Sequence, residues 1–505
     1  MAKDISRKEK RKKIAVVGAG IGGLVSALKL AHDGLEVKVF ESSDYPGGKI
    51  RTLDSASGPV SIGPTVLTML SIFQDLFKEV GENIFDHLEL KEQKILARHW
   101  WSDGTEFDLL ANKDDACDEV KKVFGAKARE QYIKFFDSTK EMFDCFEKPI
   151  MKSSSPAALE ILRGICKKPK IIPTLVPFLT LEKYLKSKFS ETKLQQLFGR
   201  YSTYVGGSPL HSPALMALVW QAEARGVWTV EGGISSVARA IEKMAIDRGV
   251  EFIYGHRVIE IQKSNFLVNK VCLDDGTSHE ADAVIFNGDP RALATGLLGD
   301  DLRNIAGKTR DAKRGLSANV WGFEAKIINK NLVHHNVFFS DKVNSEFYEI
   351  ERGQIPLDPT LYICAQDRED AKKAQKTERF EIILNAPPLS KRKPNKEDFE
   401  ICKSVTLERF KNFGLNFQVD LERRNLTTPK DFNKLFPATE GSLYGQSPHG
   451  MMATFQRPKS VTSVANLFLV GGGIHPGAGV PMATLSALLA VEAVSYTHLT
   501  LPTKA

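Results

Sequence analysis

The sequence predicts an α/β fold in which a dinucleotide-binding unit is interleaved along the chain with an α+β unit, and three observations lead there. An apolar strand at residues 14–17 runs directly into glycines spaced G-x-G-x-x-G. A second glycine-dense loop, residues 471–479, follows another apolar strand near the far end of the chain. Between the two, the strand–helix–strand pattern is interrupted, resumes, and is interrupted again.

The first unit explains itself residue by residue. Gly18 permits a tight turn, Gly20 lets the backbone approach a pyrophosphate, and Gly23 lets the following helix lie close to the sheet, its N-terminal N–H groups aimed at the phosphates. Leu24, Ala27, Leu28 and Ala31 recur at helical intervals. The next strand, residues 36–40, ends in Glu41, 23 residues after Gly18, where a carboxylate can accept hydrogen bonds from a ribose 2′-hydroxyl and repel a 2′-phosphate. Pro46, Gly47, Gly48, Lys49 and Arg51 then bring N–H groups and positive charge towards a second phosphate or a bound ring. The unit is Rossmann-like.

Further along, residues 63–65 open a segment rich in aromatics and helix formers, including a periodic stretch at 126–146. The dinucleotide style returns near Trp228, with a helix predicted at 234–245, strands at 251–254, 258–261 and 268–273, and a hairpin turn at Asp274-Asp275-Gly276. A buried strand at 281–286 leads into Asn287-Gly288-Asp289-Pro290, a turn suited to the carboxyl end of a parallel sheet, where ligands bind. Residues 296–459 form another excursion, with a surface loop at 391–398, before residues 467–494 return to the first unit. There the glycine loop precedes a helix with Met482, Leu485, Leu489 and Ala493 on one side. Its N–H groups suit the electron-rich edge of a redox ring. His475 sits in this loop as a candidate base or a loop-shaping residue; the sequence fixes no carboxylate beside it.

Composition bounds the remainder. With 505 residues and 42% hydrophobic content, the chain can bury a sizeable core. The formal charge is +7, but residues 1–13 alone carry +5, leaving about +2, too even for a nucleic-acid footprint. That basic tail reads either as an aid to binding an anionic membrane or as a solvated arm. Six scattered cysteines without a C-x-x-C pair point to a reducing cytoplasmic setting and to no metal site. Residues 465–491 lack charged side chains over a bilayer-spanning length, yet their glycines and prolines break the run, so no membrane span is predicted. Residues 171–179, preceded by Lys167, Lys168 and Lys170, are apolar and too short to span; they read as an interfacial patch or as a packed segment.

The G-x-G-x-x-G loop continued by Pro46-Gly47-Gly48-Lys49 resembles the FAD-binding, glutathione-reductase-like superfamily, in particular its amine oxidase and carotenoid desaturase branches. GPTV at 63–66 and GGGIHPGAGVP at 471–481 are similar to bacterial-type phytoene desaturases. ARHWWSDG (97–104), LFGRYSTYVGG (197–207), WQAEARGVW (220–228), FNGDP (286–290), HHNVFF (334–339) and TLYICAQDRE (360–369) resemble the 1-hydroxycarotenoid 3,4-desaturases, also called methoxyneurosporene dehydrogenases.

The resemblance implies a cytoplasmic, peripherally membrane-associated FAD enzyme that takes two hydrogens from a long acyclic hydroxylated carotenoid. Cofactor contacts carry over to Gly18, Gly20, Gly23, Glu41, Gly48, Lys49, Arg51, Val258, Gly472, His475 and Gly479. Lys49 stands where many relatives have arginine. A carbon beside a polyene loses hydride readily because the cation spreads along the chain, so hydride is expected to leave C4 for flavin N5 and the proton to leave C3, without strong acid–base machinery. Quinone or oxygen is the expected electron acceptor. Arg200 or Arg225 is a candidate partner for the terminal hydroxyl, and Trp100, Trp101, Tyr201, Tyr204, Trp220 and Trp228 are candidates to line a channel.

The implied division is a discontinuous FAD-binding domain (14–72, 226–295, 460–494) and a substrate domain (73–225, 296–459), with a basic tail at 1–13. Residues 495–505 resemble translated vector sequence. Two alternatives stay open: another flavin oxidoreductase of the superfamily, such as a phytoene desaturase, carotene isomerase or amine oxidase, and a non-catalytic prenyl-lipid binder of the GDP-dissociation-inhibitor type.

Overall fold

A computed structural model describes residues 11–154, 163–164, 167–175, 178–328, 330–368, 377–450 and 453–499. Lys3, Arg7, Lys8 and Lys10 of the basic tail, Cys166, residues 176–177 of the apolar run, Glu369 and residues 500–505 lie outside the described residues.

Five parallel strands form one sheet, in the order Glu251–Ile253, Glu36–Phe40, Lys13–Val17, Ala283–Phe286, Leu467–Leu469. Ile14 lies opposite Val37 on one side and Ala283 on the other. This central position explains the unbroken apolar run: a strand covered on both faces takes apolar residues at every position. Helices Ile21–His32, Ser235–Ile246 and Val480–Leu499 cover one face. The antiparallel meander of Val258–Ser264, Leu267–Leu273 and Ser278–Glu280 covers the other. Leu24, Leu28 and Leu30 are fully buried, each worth about 1.5–3 kcal/mol.

The second sheet has eight strands. Seven run in the order Asn416–Gln418, Ser317–Ile328, Glu378–Ala386, Leu361–Ala365, His335–Phe338, Ile95–Trp100, Glu106–Leu110, and Leu426–Thr427 pairs onto Ser317–Ile328. Its alternation separates two environments. Phe380, Ile382 and Leu384, with Trp321 and Phe323, pack towards helix Asp398–Asn412. Glu381, Ile383 and Asn385 of the same strand face an internal cavity. A helical wall built from Ala126–Phe146, Leu181–Lys188 and Thr192–Arg200 closes around Trp220, whose indole N–H donates to Thr139 Oγ1 at 2.8 Å.

Two elements run longer than the sequence pattern suggests. The strand expected at 258–261 extends to Ser264, because it hairpins onto Leu267–Leu273. The closing helix continues past residue 494 to Leu499. Poor helix formers there cost only tenths of a kcal/mol each, which a helix already held by packing tolerates.

Close approach of helix Ile21–His32 to the first strand rests on Gly23, where a Cβ would stand 2.0 Å from the Gly18 carbonyl oxygen. Gly23→Ala should therefore destabilise the fold by about 1–3 kcal/mol, read as a lowered Tm. Gly307→Ala, whose Cβ would meet nothing within 4 Å, should stay within about 0.5 kcal/mol of the parent.

Candidate functional site

A cavity of about 1160 Å³ extends from the glycine loops to the inner face of the eight-stranded sheet and the helical wall. Three backbone segments meet at its polar end. Gly20 and Gly47 pair as an isolated parallel bridge, and Gly47 N–H donates to Ala19 O at 2.9 Å. Gly48 adopts φ +60°, and a Cβ there would lie 3.1 Å from Gly20 Cα. The Asn287 carboxamide fills the space that the glycines leave. Its Nδ2 donates to Gly18 O at 3.2 Å, and a Cβ on Gly22 or Gly471 would come within 2.7 Å of its Oδ1.

Helix Ile21–His32 starts at Gly20 with no side-chain cap and no acidic residue in its first turn, while Gly20, Ile21 and Gly22 line the cavity. Such an end is an anion site. Glu41 lines the cavity with Oε2 accepting from Ala19 N–H at 2.7 Å and Oε1 from Ser43 N–H at 2.9 Å. Val258 lies on the same side, where His256 N–H donates to Glu41 O at 3.1 Å. Gly472 and Gly479 line the cavity at the start of helix Val480–Leu499.

The electrostatics point the same way. Lys49 Nζ donates to Leu443 O, and burial lowers its pKa to about 8; Asp289 opposes this, whereas Arg314 and Arg457 add to it. Burial likewise brings Arg457 down to about 10. Arg457 donates to Gly472 O at 2.8 Å and to Tyr444 O at 2.9 Å, and Arg314 pairs with Asp289. Three cations face one carboxylate, a buried surplus that an anionic ligand relieves. The sequence reading missed Arg314 and Arg457. Asp289 and Asn287 lay in the turn it flagged, without a role.

Three of the residues carried over do not line this cavity. Gly23 is behind the loop, against Gly18. Arg51 donates to Thr427 Oγ1 at 3.2 Å and lies over the Phe432 ring. His475 is buried outside the cavity lining, its Nε2–H donating to Ser153 O at 2.9 Å, and burial lowers its pKa. Arg225 pairs with Asp144 and Glu147 instead of facing the cavity. Of the six aromatic candidates Tyr204 lines it; Trp100, Trp101, Tyr201 and Trp220 are core, and Trp228 folds over Gly226.

The apolar end carries one polar cluster. Arg200 donates to Tyr204 Oη at 3.1 Å and lies over the Tyr204 and Tyr362 rings. Tyr201 donates to Glu223 at 2.7 Å, and Thr65 and Tyr362 share a hydrogen bond of 2.6 Å. Behind Tyr362, His334, His335 and Cys364 bring ligand-type atoms within 4.8 Å of one another. His334 meets Arg368 O and Cys364 Sγ, and His335 Nδ1 meets the Tyr362 hydroxyl.

Residues 21–319 match the family described as flavin containing amine oxidoreductase. Hydroxyneurosporene desaturase of Cereibacter sphaeroides is 45% identical over 482 residues, spanning 95% of this chain and 97% of that protein. The chain belongs to the flavin-containing amine oxidoreductase family. Hydroxyneurosporene desaturase of Rhodobacter capsulatus is 41% identical, over 95% of this chain and 97% of its own. The 1-hydroxycarotenoid 3,4-desaturase of Flavobacterium sp. is 30% identical, over 96% and 100%. Among solved structures, an oxidoreductase from Methanosarcina mazei superposes with TM-score 0.63 at 17% identity, covering 95% of this chain and 100% of that one. A triple mutant of putrescine oxidase gives 0.63 at 14% identity, covering 97% and 99%. These two share the fold.

FAD, the cofactor of this flavoenzyme, suits the cradle: uncapped helix N–H groups and surplus cations would meet a diphosphate, and Glu41 retains lone pairs that ribose hydroxyls could donate to. One consequence is measurable. The Lys49 pKa stands at about 8, chiefly through burial, and an anionic cofactor beside it should raise that value. Below that pH the ammonium is charged with or without cofactor; above it, binding takes up a proton. FAD affinity should therefore fall as pH rises past about 8, by up to about tenfold per pH unit. Lys49→Met should bind FAD more weakly and lose this slope in flavin-fluorescence titrations.

Proposed function

We infer that the chain is an FAD-dependent desaturase of acyclic 1-hydroxylated carotenoids, forming the C3–C4 double bond. The observation that carries this reading is its 45% identity to a hydroxyneurosporene desaturase across 95% of the chain. The cavity supports it, since apolar walls of Val66, Met69, Phe146, Ile150, Leu215 and Met216 suit a polyene.

In this reading Gly18, Gly20 and Gly48 approach the FAD diphosphate, Glu41 the adenosine ribose, Val258 the adenine, and Gly472 and Gly479 the ring. Gly23 acts behind that loop by letting the helix approach, Arg51 by bracing the Pro46-Gly47-Gly48 turn against Thr427 and Phe432, and His475 by holding its loop to Ser153. Flavin supplies the acceptor for hydride leaving C4. Arg200 is the donor for the substrate's terminal hydroxyl, because it is the guanidinium set in the apolar wall. The same wall keeps water from the delocalised cation. Quinone or oxygen reoxidises the flavin.

Such a substrate resides in lipid. Among the described residues no helix is long and apolar enough to cross a membrane. The segment Pro169–Leu175 supports peripheral docking, since Thr174 and Leu175 line the cavity while Ile172 is 50% and nearby Phe178 94% exposed. The chain would thus sit on the cytoplasmic membrane surface and draw substrate directly from it.

Supplied with 1-hydroxyneurosporene, neurosporene and phytoene side by side, the holoenzyme should remove two hydrogens from the hydroxylated polyene. Conversion of phytoene with 1-hydroxyneurosporene untouched would defeat this substrate. Ile172→Asp combined with Phe178→Asp should lower sedimentation with anionic vesicles about tenfold or more, since each apolar side chain contributes about 1.5–3 kcal/mol when buried, while the flavin spectrum stays unchanged.

A further inference from the structure

Four carboxylates line the cavity among the described residues: Glu41, Glu223, Asp289 and Glu381. Three are committed to protein partners. Glu41 accepts two backbone N–H groups, Glu223 accepts from the Tyr201 and Tyr204 hydroxyls, and Asp289 pairs with Arg314. Glu381 is different. It is fully buried, and neither carboxylate oxygen has a hydrogen-bond partner. An orphaned buried carboxyl costs stability, so its place on the cavity wall, on the same strand face as Ile383 and Asn385, calls for an incoming partner.

We propose that Glu381 is the catalytic base that takes the proton from C3 of the substrate. The proposal rests on the desaturase reading. The C4–H bond breaks and its electron pair leaves as hydride to the flavin. The C3–H bond breaks, its electron pair becomes the second bond of C3=C4, and the proton forms an O–H bond to Glu381.

Other groups of the cavity suit the task less well. Burial raises the Tyr362 and Tyr444 hydroxyls further from ionisation, and Lys49 is held at Leu443 O near the glycine loops. Around Glu381 the titratable and charged neighbours are Arg51, Cys364 on the paired strand, Tyr362 and Tyr444. Burial pushes the Glu381 carboxyl well above the usual carboxylate range, and Arg51 offsets this in part. A carboxyl raised in this way is a stronger base once ionised than an ordinary carboxylate, so proton removal speeds up as pH rises through its pKa.

The test mixes oxidised holoenzyme anaerobically with micellar 1-hydroxyneurosporene and follows bleaching of the flavin. Wild type should bleach faster with rising pH up to a plateau. Glu381→Gln, nearly isosteric, should bind FAD, bleach at least about 100-fold more slowly and show no such rise, whereas Glu381→Asp should retain a pH-dependent rate. An infrared difference spectrum, wild type minus Glu381→Gln, should contain the carbonyl band of a neutral carboxylic acid that titrates with the midpoint of the rate. Wild-type bleaching by Glu381→Gln, a band with another midpoint, or a wild-type rate that does not rise with pH overturns the proposal. Should Glu381→Gln not fold, the wild-type profile still decides. Wild type bleached by no carotenoid refutes the desaturase reading and the proposal together; wild type bleached while Glu381→Gln matches it refutes the base alone.

Discussion

Everything else in the molecule depends on how closely three stretches of backbone approach one another around the Asn287 carboxamide. Gly18, Gly20 and Gly22 of the first loop and Gly471 of the last surround it, with no room for a methyl group at Gly22 or Gly471. The parallel bridge from Gly20 to Gly47 adds the third stretch. Because segments from opposite ends of the chain are within van der Waals contact, one cofactor can be grasped by loops that are hundreds of residues apart, and the helices behind those loops are fixed in register with the sheet. A side chain added at these positions would displace backbone, which has nowhere to go in an interior packed at crystal density.

The cavity then holds its charges unevenly. At the glycine end Lys49, Arg314 and Arg457 outnumber Asp289, and burial strains the Lys49 and Arg457 charges. On the wall formed by the eight-stranded sheet stands Glu381, whose carboxyl is pushed by burial well above the usual carboxylate range, with Arg51 as a partial offset. Low dielectric makes both arrangements costly in isolation and effective towards a ligand: the cations draw an anion, and the buried carboxyl can exchange a proton.

Alternation along the second sheet reconciles a solid core with a hollow. The strand Glu378–Ala386 sends Phe380, Ile382 and Leu384 into packing with Trp321 and helix Asp398–Asn412, while its other face borders the cavity. One strand thus contributes to stability through one set of side chains and to the site through the next. The short segment Pro169–Leu175 plays a similar double part, lining the cavity from within and exposing Ile172 without.

The α/β class and the strand–loop–helix start were legible in the sequence because they depend on local spacing, and the flavin was legible through the family resemblance that those motifs carry. A glycine turn after an apolar strand, the helical period of Leu24, Ala27, Leu28 and Ala31, and a carboxylate at the end of the next strand each act within a few residues of one another. Side-chain direction at long range was not legible. Arg51 and Lys49 are two residues apart, yet one reaches Thr427 and the other Leu443; His475 sits in a cavity loop but turns its ring to Ser153. Glu381 looks unremarkable in a strand that mixes polar and apolar residues until Cys364 and Gly322 pair on either side of it and their shared sheet borders the hollow. The sequence by itself determined where backbone can bend and which faces must be buried, since those preferences reside in single residues and short periods. Tertiary structure alone decided which polar atoms meet and which are left without a partner, because that depends on the packing of segments that only the complete fold brings together.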